Sequence, residues 1–189
     1  MRYQFKGMAG RWNVYDEAGE RIGSVRRSMG RRMEYRYGDN RQAFDIRRKG
    51  NAIWLEQGGK IVFSGEIRYP VDGNGKPVTK SLFCPPMPEE LRMEQTEGAG
   101  ELHGLPEQVR ESGVPHGLPE QVRESWTLHQ LPNRNIEIYF DGTQVGILRG
   151  LIVGTKTLDW SGDEELLERG LLCFVLGVYM AEDDTVYAV

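Results

Sequence analysis

Residues 161–184 read SGDEELLERGLLCFVLGVYMAEDD. From Leu171 to Ala181 every side chain is apolar apart from the hydroxyl of Tyr179. The run is well short of the ~20 apolar residues that a membrane span needs. It follows S-x-x-E, with Ser161 and Glu164 in the spacing of a capping box. Asp163, Glu164 and Glu165 fall where the helix dipole is positive. The pattern predicts a helix over 163–181. A helix that is apolar on every side is buried on every side, so the rest of the chain has to surround it.

That remainder reads as strands with period-two alternation. WNVY and ERIGSVRR flank the turn DEAG, with Gly19 at its end. MEYRY sets Met33, Tyr35 and Tyr37 against Glu34 and Arg36, and QAFDIRR sets Phe44 and Ile46 against Asp45 and Arg47. AIWLE and KIVFSGEIRY flank Gly58-Gly59, a strong two-residue hairpin signal. Ser64-Gly65, inside the second of these strands, predicts a bulge. NIEIYF-DG-TQVGIL is the clearest hairpin, pairing Phe140 with Thr143, Ile138 with Val145 and Ile136 with Ile147. LIVGTKTLDW adds a strand, and TVYAV at 185–189 is read as a closing one. The count is about nine or ten strands and one apolar helix. Closing the sheet around the helix wets neither helix face and leaves no exposed edge. The fold expected is mainly β: a closed antiparallel barrel wrapped around one C-terminal hydrophobic helix. The competing arrangement, a β-sandwich or open sheet with the helix packed outside, would leave part of that helix in water.

WNVYDEAGERIGSV, the DGTQVGIL hairpin, the TLDW strand and GDEELLERGLLCFVLGVYMAEDD together resemble the tubby C-terminal-like superfamily. Within it they are most similar to the LURP-one-related and phospholipid-scramblase-like branch. Residues 80–132 lie outside the resemblance. The resemblance implies a twelve-stranded barrel around a hydrophobic helix and no established catalysis. In some branches it implies phosphoinositide or membrane association.

The whole chain, 1–189, suits one domain. Two cysteines, Cys84 and Cys173, make no disulfide framework and point to free thiols in a reducing, cytoplasmic compartment. The opening MRYQFKGMAGRW has no apolar core, so no signal peptide is expected. Residues 84–132 are rich in Pro, Gly and Glu and read as an irregular insertion, with a short helix expected at MPEELRME. Within it HGLPEQVRES occurs at 103–112 and again at 116–125, a 13-residue tandem repeat, and HQLPNRN at 129–135 looks like a decayed third copy. A loop absorbs such a duplication cheaply, because closure entropy grows slowly with length. The repeat is read as a duplication scar rather than a binding array.

No nucleophile elbow, P-loop or zinc-helix motif occurs. VDGNGKPV begins like a calcium loop but has Pro77 where that loop needs Gly. His103, His116 and His129 lie thirteen residues apart, a spacing that fits no compact metal site. Neither an enzyme activity, a metal nor a cofactor is therefore expected.

Charge is the remaining signal. Residues 1–60 hold 14 Lys and Arg against 7 Asp and Glu, inside a chain whose net charge is −4. The basic half suggests an anionic partner, and the acidic remainder argues against nucleic acid. Arg26, Arg27, Arg31, Arg32, Arg36, Arg47, Arg48 and Lys49 form the cluster. Arginine pairs at loop ends can grip phosphate with both arms, so Arg31, Arg32, Arg36, Arg47, Arg48 and Lys49 are the candidate anion-binding residues. The leading expectation is a binding or scaffold module for anionic phospholipid headgroups, peripheral to a membrane. The alternatives are a protein-interaction module using residues 84–132 and a calycin-like barrel that carries a small molecule. The last needs an empty lumen.

Overall fold

The computed structural model describes residues 1–8, 10–28, 32–76, 78, 88–96, 125–151 and 155–182. Twelve antiparallel strands run in chain order: β1 Arg2–Met8, β2 Arg11–Tyr15, β3 Arg21–Arg27, β4 Arg32–Tyr37, β5 Asn40–Lys49 and β6 Ala52–Gln57. They continue with β7 Lys60–Arg68, β8 Glu90–Gln95, β9 Ser125–Gln130, β10 Ile136–Phe140, β11 Thr143–Arg149 and β12 Lys156–Trp160. Each strand pairs with the next in sequence, and β1 pairs with β12, so the sheet closes as an up-and-down barrel. A 3₁₀ turn, Glu164–Leu166, leads into the helix α1, Leu167–Glu182.

Alternation sorts the side chains. Val14, Val25, Met33, Tyr35, Leu55, Leu91 and Leu128 point inward and are almost wholly buried. Lys6, Arg26, Arg36, Arg47, Arg68 and Arg92 project outward. An apolar lumen inside a charged wall is the inverse of a lipid-facing barrel. Among the described residues no helix is long and apolar enough to cross a membrane.

The helix α1 occupies the lumen, and every strand contributes a side chain to its surroundings. Phe174 stacks on Phe5 of β1, centroids 3.7 Å apart, and meets Trp12 of β2 edge-on at 5.4 Å. Arg27 of β3 lies over Tyr179 at 5.5 Å. Tyr35 of β4 and Asn40 of β5 both donate to the Glu168 carboxylate. Leu55, Phe63, Met93 and Trp126, from β6 to β9, line a small void with Leu172 and Cys173. At Gly177 a Cβ would stand 2.8 Å from Leu148 of β11 and 3.3 Å from Ile136 of β10. At Gly170 it would stand 3.1 Å from Leu158 of β12. The helix therefore lies close against the β10–β12 wall at Gly170 and Gly177, which carry no side chain.

Several local expectations change. The capping box does not form: Asp163 precedes the 3₁₀ turn and no side chain caps it. The first turn is tied down from outside instead, by the Tyr37 hydroxyl donating to Glu164 at 3.3 Å. The bulge expected at Ser64-Gly65 lies nearer the hairpin tip, where the register shifts between Leu55 and Glu56. Gly65 instead marks a close backbone approach, since a Cβ there would sit 1.8 Å from the Arg92 carbonyl oxygen. The Asp141-Gly142 turn has positive φ at both residues, 45° and 79°, as a two-residue hairpin requires. Beyond it a bulge after Ile138 shifts the pairing by one, so Ile138 faces Gly146 and Ile136 faces Leu148.

The irregular stretch expected at 84–132 is bounded differently. MPEELRME yields strand β8 rather than a helix, and β9 begins on the last residue of the second repeat copy, Ser125. The supposed third copy, from His129, is the end of β9 and the turn into β10. The repeat itself, apart from Ser125, lies outside the described residues, as do Cys84 and TVYAV.

Candidate functional site

An up-and-down barrel has two ends, and its turns alternate between them. At one end, the entry end, lie the β2–β3, β4–β5, β6–β7 and β10–β11 turns and the start of α1. At the other, the exit end, lie the β1–β2, β3–β4, β5–β6, β7–β8, β9–β10 and β11–β12 connections, towards which α1 runs. The balance of charge shifts along this axis. The entry end gathers Asp16, Glu17, Glu20, Asp39, Asp141, Asp163 and Glu164, with Arg2, Arg21, Arg41 and Lys60 as its cations. The exit end gathers Arg11, Arg27, Arg32, Lys49, Arg134, Arg149 and Lys156, with Asp72, Glu89 and Glu90 as its acids. Both signs suit the helix between them, whose N-terminus carries positive and C-terminus negative partial charge.

The sequence-predicted residues divide accordingly. Arg32 opens β4 at the exit end and is exposed, aligned in register with Asp45. Lys49 closes β5 at the same end and is exposed. Arg47 is on the outer wall, its Nε 3.2 Å from Glu56, a pair that stays half in water. Arg48 turns the other way. Its guanidinium donates to the Gly50 carbonyl at 2.8 Å and to the Tyr69 hydroxyl at 2.6 Å, which ties the β5–β6 turn to the end of β7. Arg36 lies near the entry end, facing Arg41 across the ladder, while Arg41 bonds Glu34 at 2.8 Å. The Arg41 guanidinium holds the Glu34 carboxyl below its ordinary range. Arg31 lies outside the described residues. The structure thus groups Arg32, Arg47, Arg48 and Lys49 and sets Arg36 apart.

Sequence reasoning did not name Arg134, Arg149 or Lys156 as members of this group. They come from the acidic part of the chain and join the rim only because β12 pairs with β1 and closes the sheet. Arg149 also shares Asp159 with Arg2, at 2.9 and 2.6 Å. Arg2, then Arg149, hold the Asp159 carboxyl below its ordinary range. Arg2 and Asp159 line an open groove of about 610 Å³ together with Gln4, Gln144, Ile147 and Ser161.

The geometry offers little else to chemistry. The lumen void beside Cys173 measures about 10 Å³, near the minimum for one water. A small-molecule carrier of the calycin-like kind needs that lumen empty, and α1 fills it. Burial pushes the Cys173 thiol up to about 12, which keeps it protonated and inert at neutral pH. His129 lies on the outer wall between Glu90 and Glu137, which are engaged by Arg68 at 3.4 Å and by the Tyr139 hydroxyl at 2.9 Å. Among the described residues no group of His, Cys, Asp and Glu could hold a metal ion. No family model, curated protein or solved structure matches the chain.

Proposed function

We propose that the chain is a non-catalytic binding module of the tubby-like type, peripheral to a cytoplasmic membrane face, that holds anionic phospholipid headgroups through the cations of its exit end. One observation carries the reading: cations from the basic half of the sequence, Arg11, Arg27, Arg32 and Lys49, meet cations from β9–β12 on one end of the barrel, where acids are fewer. A helix dipole alone asks for counter-charge at its own last turn, and its effect fades within that turn. Arg32, Lys49, Arg134 and Lys156 sit on four different connections around the rim, a wider distribution than the helix needs. Near an anionic bilayer each Lys or Arg contributes about 1 kcal/mol, so the rim supplies several together.

Sedimentation with neutral and anionic vesicles, at low and physiological salt, tests the proposal. Binding to anionic vesicles that weakens with salt is expected, because exposed charges are screened within about 10 Å at 0.1 M. The variant Arg32→Ala/Arg47→Ala/Lys49→Ala should lose on the order of a hundredfold in affinity at low salt. Absence of binding to anionic vesicles at low salt would overturn it and direct attention to a protein partner at residues 84–132.

A further inference from the structure

We infer that the barrel docks end-on, with its axis along the bilayer normal and apolar tips on the exit end entering the headgroup layer; this rests on the membrane reading above. The observation behind it is independent of charge. The described residues include four large hydrophobic side chains that are plainly exposed: Met1, Met8, Val71 and Val78. Three of the four are at the exit end. Met8 ends β1 and is 81% exposed, and Val71 and Val78, 59% and 45% exposed, lie on the β7–β8 connection. Single exposed apolar residues are ordinary. Their concentration at the end that also carries the cations is what needs a reason.

Their placement around the rim gives the pose. Counting strands around the closed sheet, the β1–β2 turn and the β7–β8 connection are six strands apart, on opposite sides of the barrel. Between them on one arc lie Arg32 and Lys49, and on the other Arg134, Arg149 and Lys156. Two apolar tips facing each other across the rim, with cations on both arcs between them, define a plane across the barrel end rather than along its wall. A bilayer surface matches that plane: headgroups take the cations, and the boundary between headgroups and acyl chains takes the tips.

The tips are also held. Val78 N–H donates to the Pro70 carbonyl at 2.7 Å and Asp72 N–H to the Lys76 carbonyl at 2.8 Å. The Asp72 carboxylate accepts N–H groups of Asn74 and Lys76, both at 2.9 Å. Residues 70–76 and 78 therefore hold Val71 and Val78 in fixed positions, so insertion loses less conformational freedom than it would from a loose loop.

The variant Met8→Ser/Val71→Ser/Val78→Ser tests this, because it removes apolar surface and leaves every charge in place. All three side chains are exposed, so thermal unfolding should be unchanged. Binding to anionic vesicles should fall roughly tenfold or more. The residual binding that wild type keeps at high salt, where charge is screened, should disappear. If wild type binds and the triple Ser variant binds equally well at both salts, end-on insertion is overturned while the phospholipid reading stands. The same holds if Arg36→Ala, on the outer wall near the entry end, costs more than the triple Ser variant. If wild type binds no anionic vesicle, both fail together.

Discussion

The two ends of the barrel use charge for different purposes. At the entry end two glutamates at the start of the helical segment are bonded into the fold. Glu168 accepts from the buried Tyr35 hydroxyl at 3.0 Å and from Asn40 at 2.6 Å, and Glu164 accepts from Tyr37. These bonds join α1 to β4 and β5, elements more than a hundred residues away in sequence. At the exit end Arg32 and Lys49 extend into water. A charge that spans such a separation and satisfies a buried hydroxyl holds structure together. A charge on a solvated rim contributes little to stability and is available to a partner. Substitutions at the first end should therefore be read in the melting curve, and those at the second in binding.

The comparison breaks most completely if the element joining the ends is loosened. Phe174 sits midway, stacked on Phe5 and edge-on to Trp12. Phe174→Ala should cost about 3–5 kcal/mol, the range for emptying a buried aromatic site, and chemical denaturation would measure it. A loss under about 1 kcal/mol would mean that α1 contributes little to the barrel's stability, and that the two ends are not coupled through it.

The entry end alone is tested next. Tyr35→Phe removes a hydrogen bond to a charged acceptor and should cost about 1.5–3 kcal/mol. Glu168→Ala strands the Tyr35 hydroxyl and should cost about as much. The two together should cost less than their sum, since groups in contact couple by 0.5–3 kcal/mol. Additive losses would deny the bond its structural role.

Alkaline pH sharpens the same contrast. Burial, then the Glu168 carboxylate, raise the Tyr35 phenol far above its ordinary value, and burial raises the Cys173 thiol to about 12. In the unfolded chain these groups release protons near pH 10 and 8.5. Above those values the unfolded state binds fewer protons than the native state, so stability falls as pH rises. The decline should begin near pH 9 from Cys173 and steepen above about pH 10 from Tyr35, with Tyr3 and Tyr37, also raised by burial, adding to it. Tyr35→Phe should lessen the second part only, by equilibrium denaturation at stepped pH. An unchanged slope would show that the phenol titrates normally and is not buried against the carboxylate.

How much of this was legible differs between the elements. α1 was readable because Leu171–Met180 lacks any polar face, a pattern with one physical outcome. The Gly58-Gly59 and Asp141-Gly142 turns were readable because both residues of each need positive φ. Three strands were missed. In β8, Leu91 and Met93 alternate with Arg92 and Glu94, but Pro88 and the glutamates favour a helix start, and only pairing with β7 and β9 decides the matter. In β9, Trp126 and Leu128 alternate correctly behind a repeat that drew the eye. In β1, Tyr3 and Phe5 gave the same signal in a shorter form. The site was less legible than the fold. That Arg32, Lys49 and Lys156 share one rim follows from strand parity and closure, which no local window contains. That Arg48 turns inward to Tyr69 follows from its register opposite Ile53.

The smallest expected effect is the most telling for the division of labour. Arg32→Ala and Lys49→Ala should each change stability by less than about 0.5 kcal/mol, as substitutions at exposed positions do. Arg32 faces Asp45 in register, yet both side chains reach water, and such pairs contribute at most about 1 kcal/mol. Lys49 lies at the end of β5, where its backbone pairs with Ala52 whatever its side chain. Denaturation of the two variants beside Tyr35→Phe would set the ends against each other in one experiment. If an exit-end lysine costs as much as the buried tyrosine, its charge is structural, and the rim is no more available to a phospholipid surface than the acids around α1. If it costs nothing while vesicle binding falls, the cation is held at the rim by the barrel without being needed to build it.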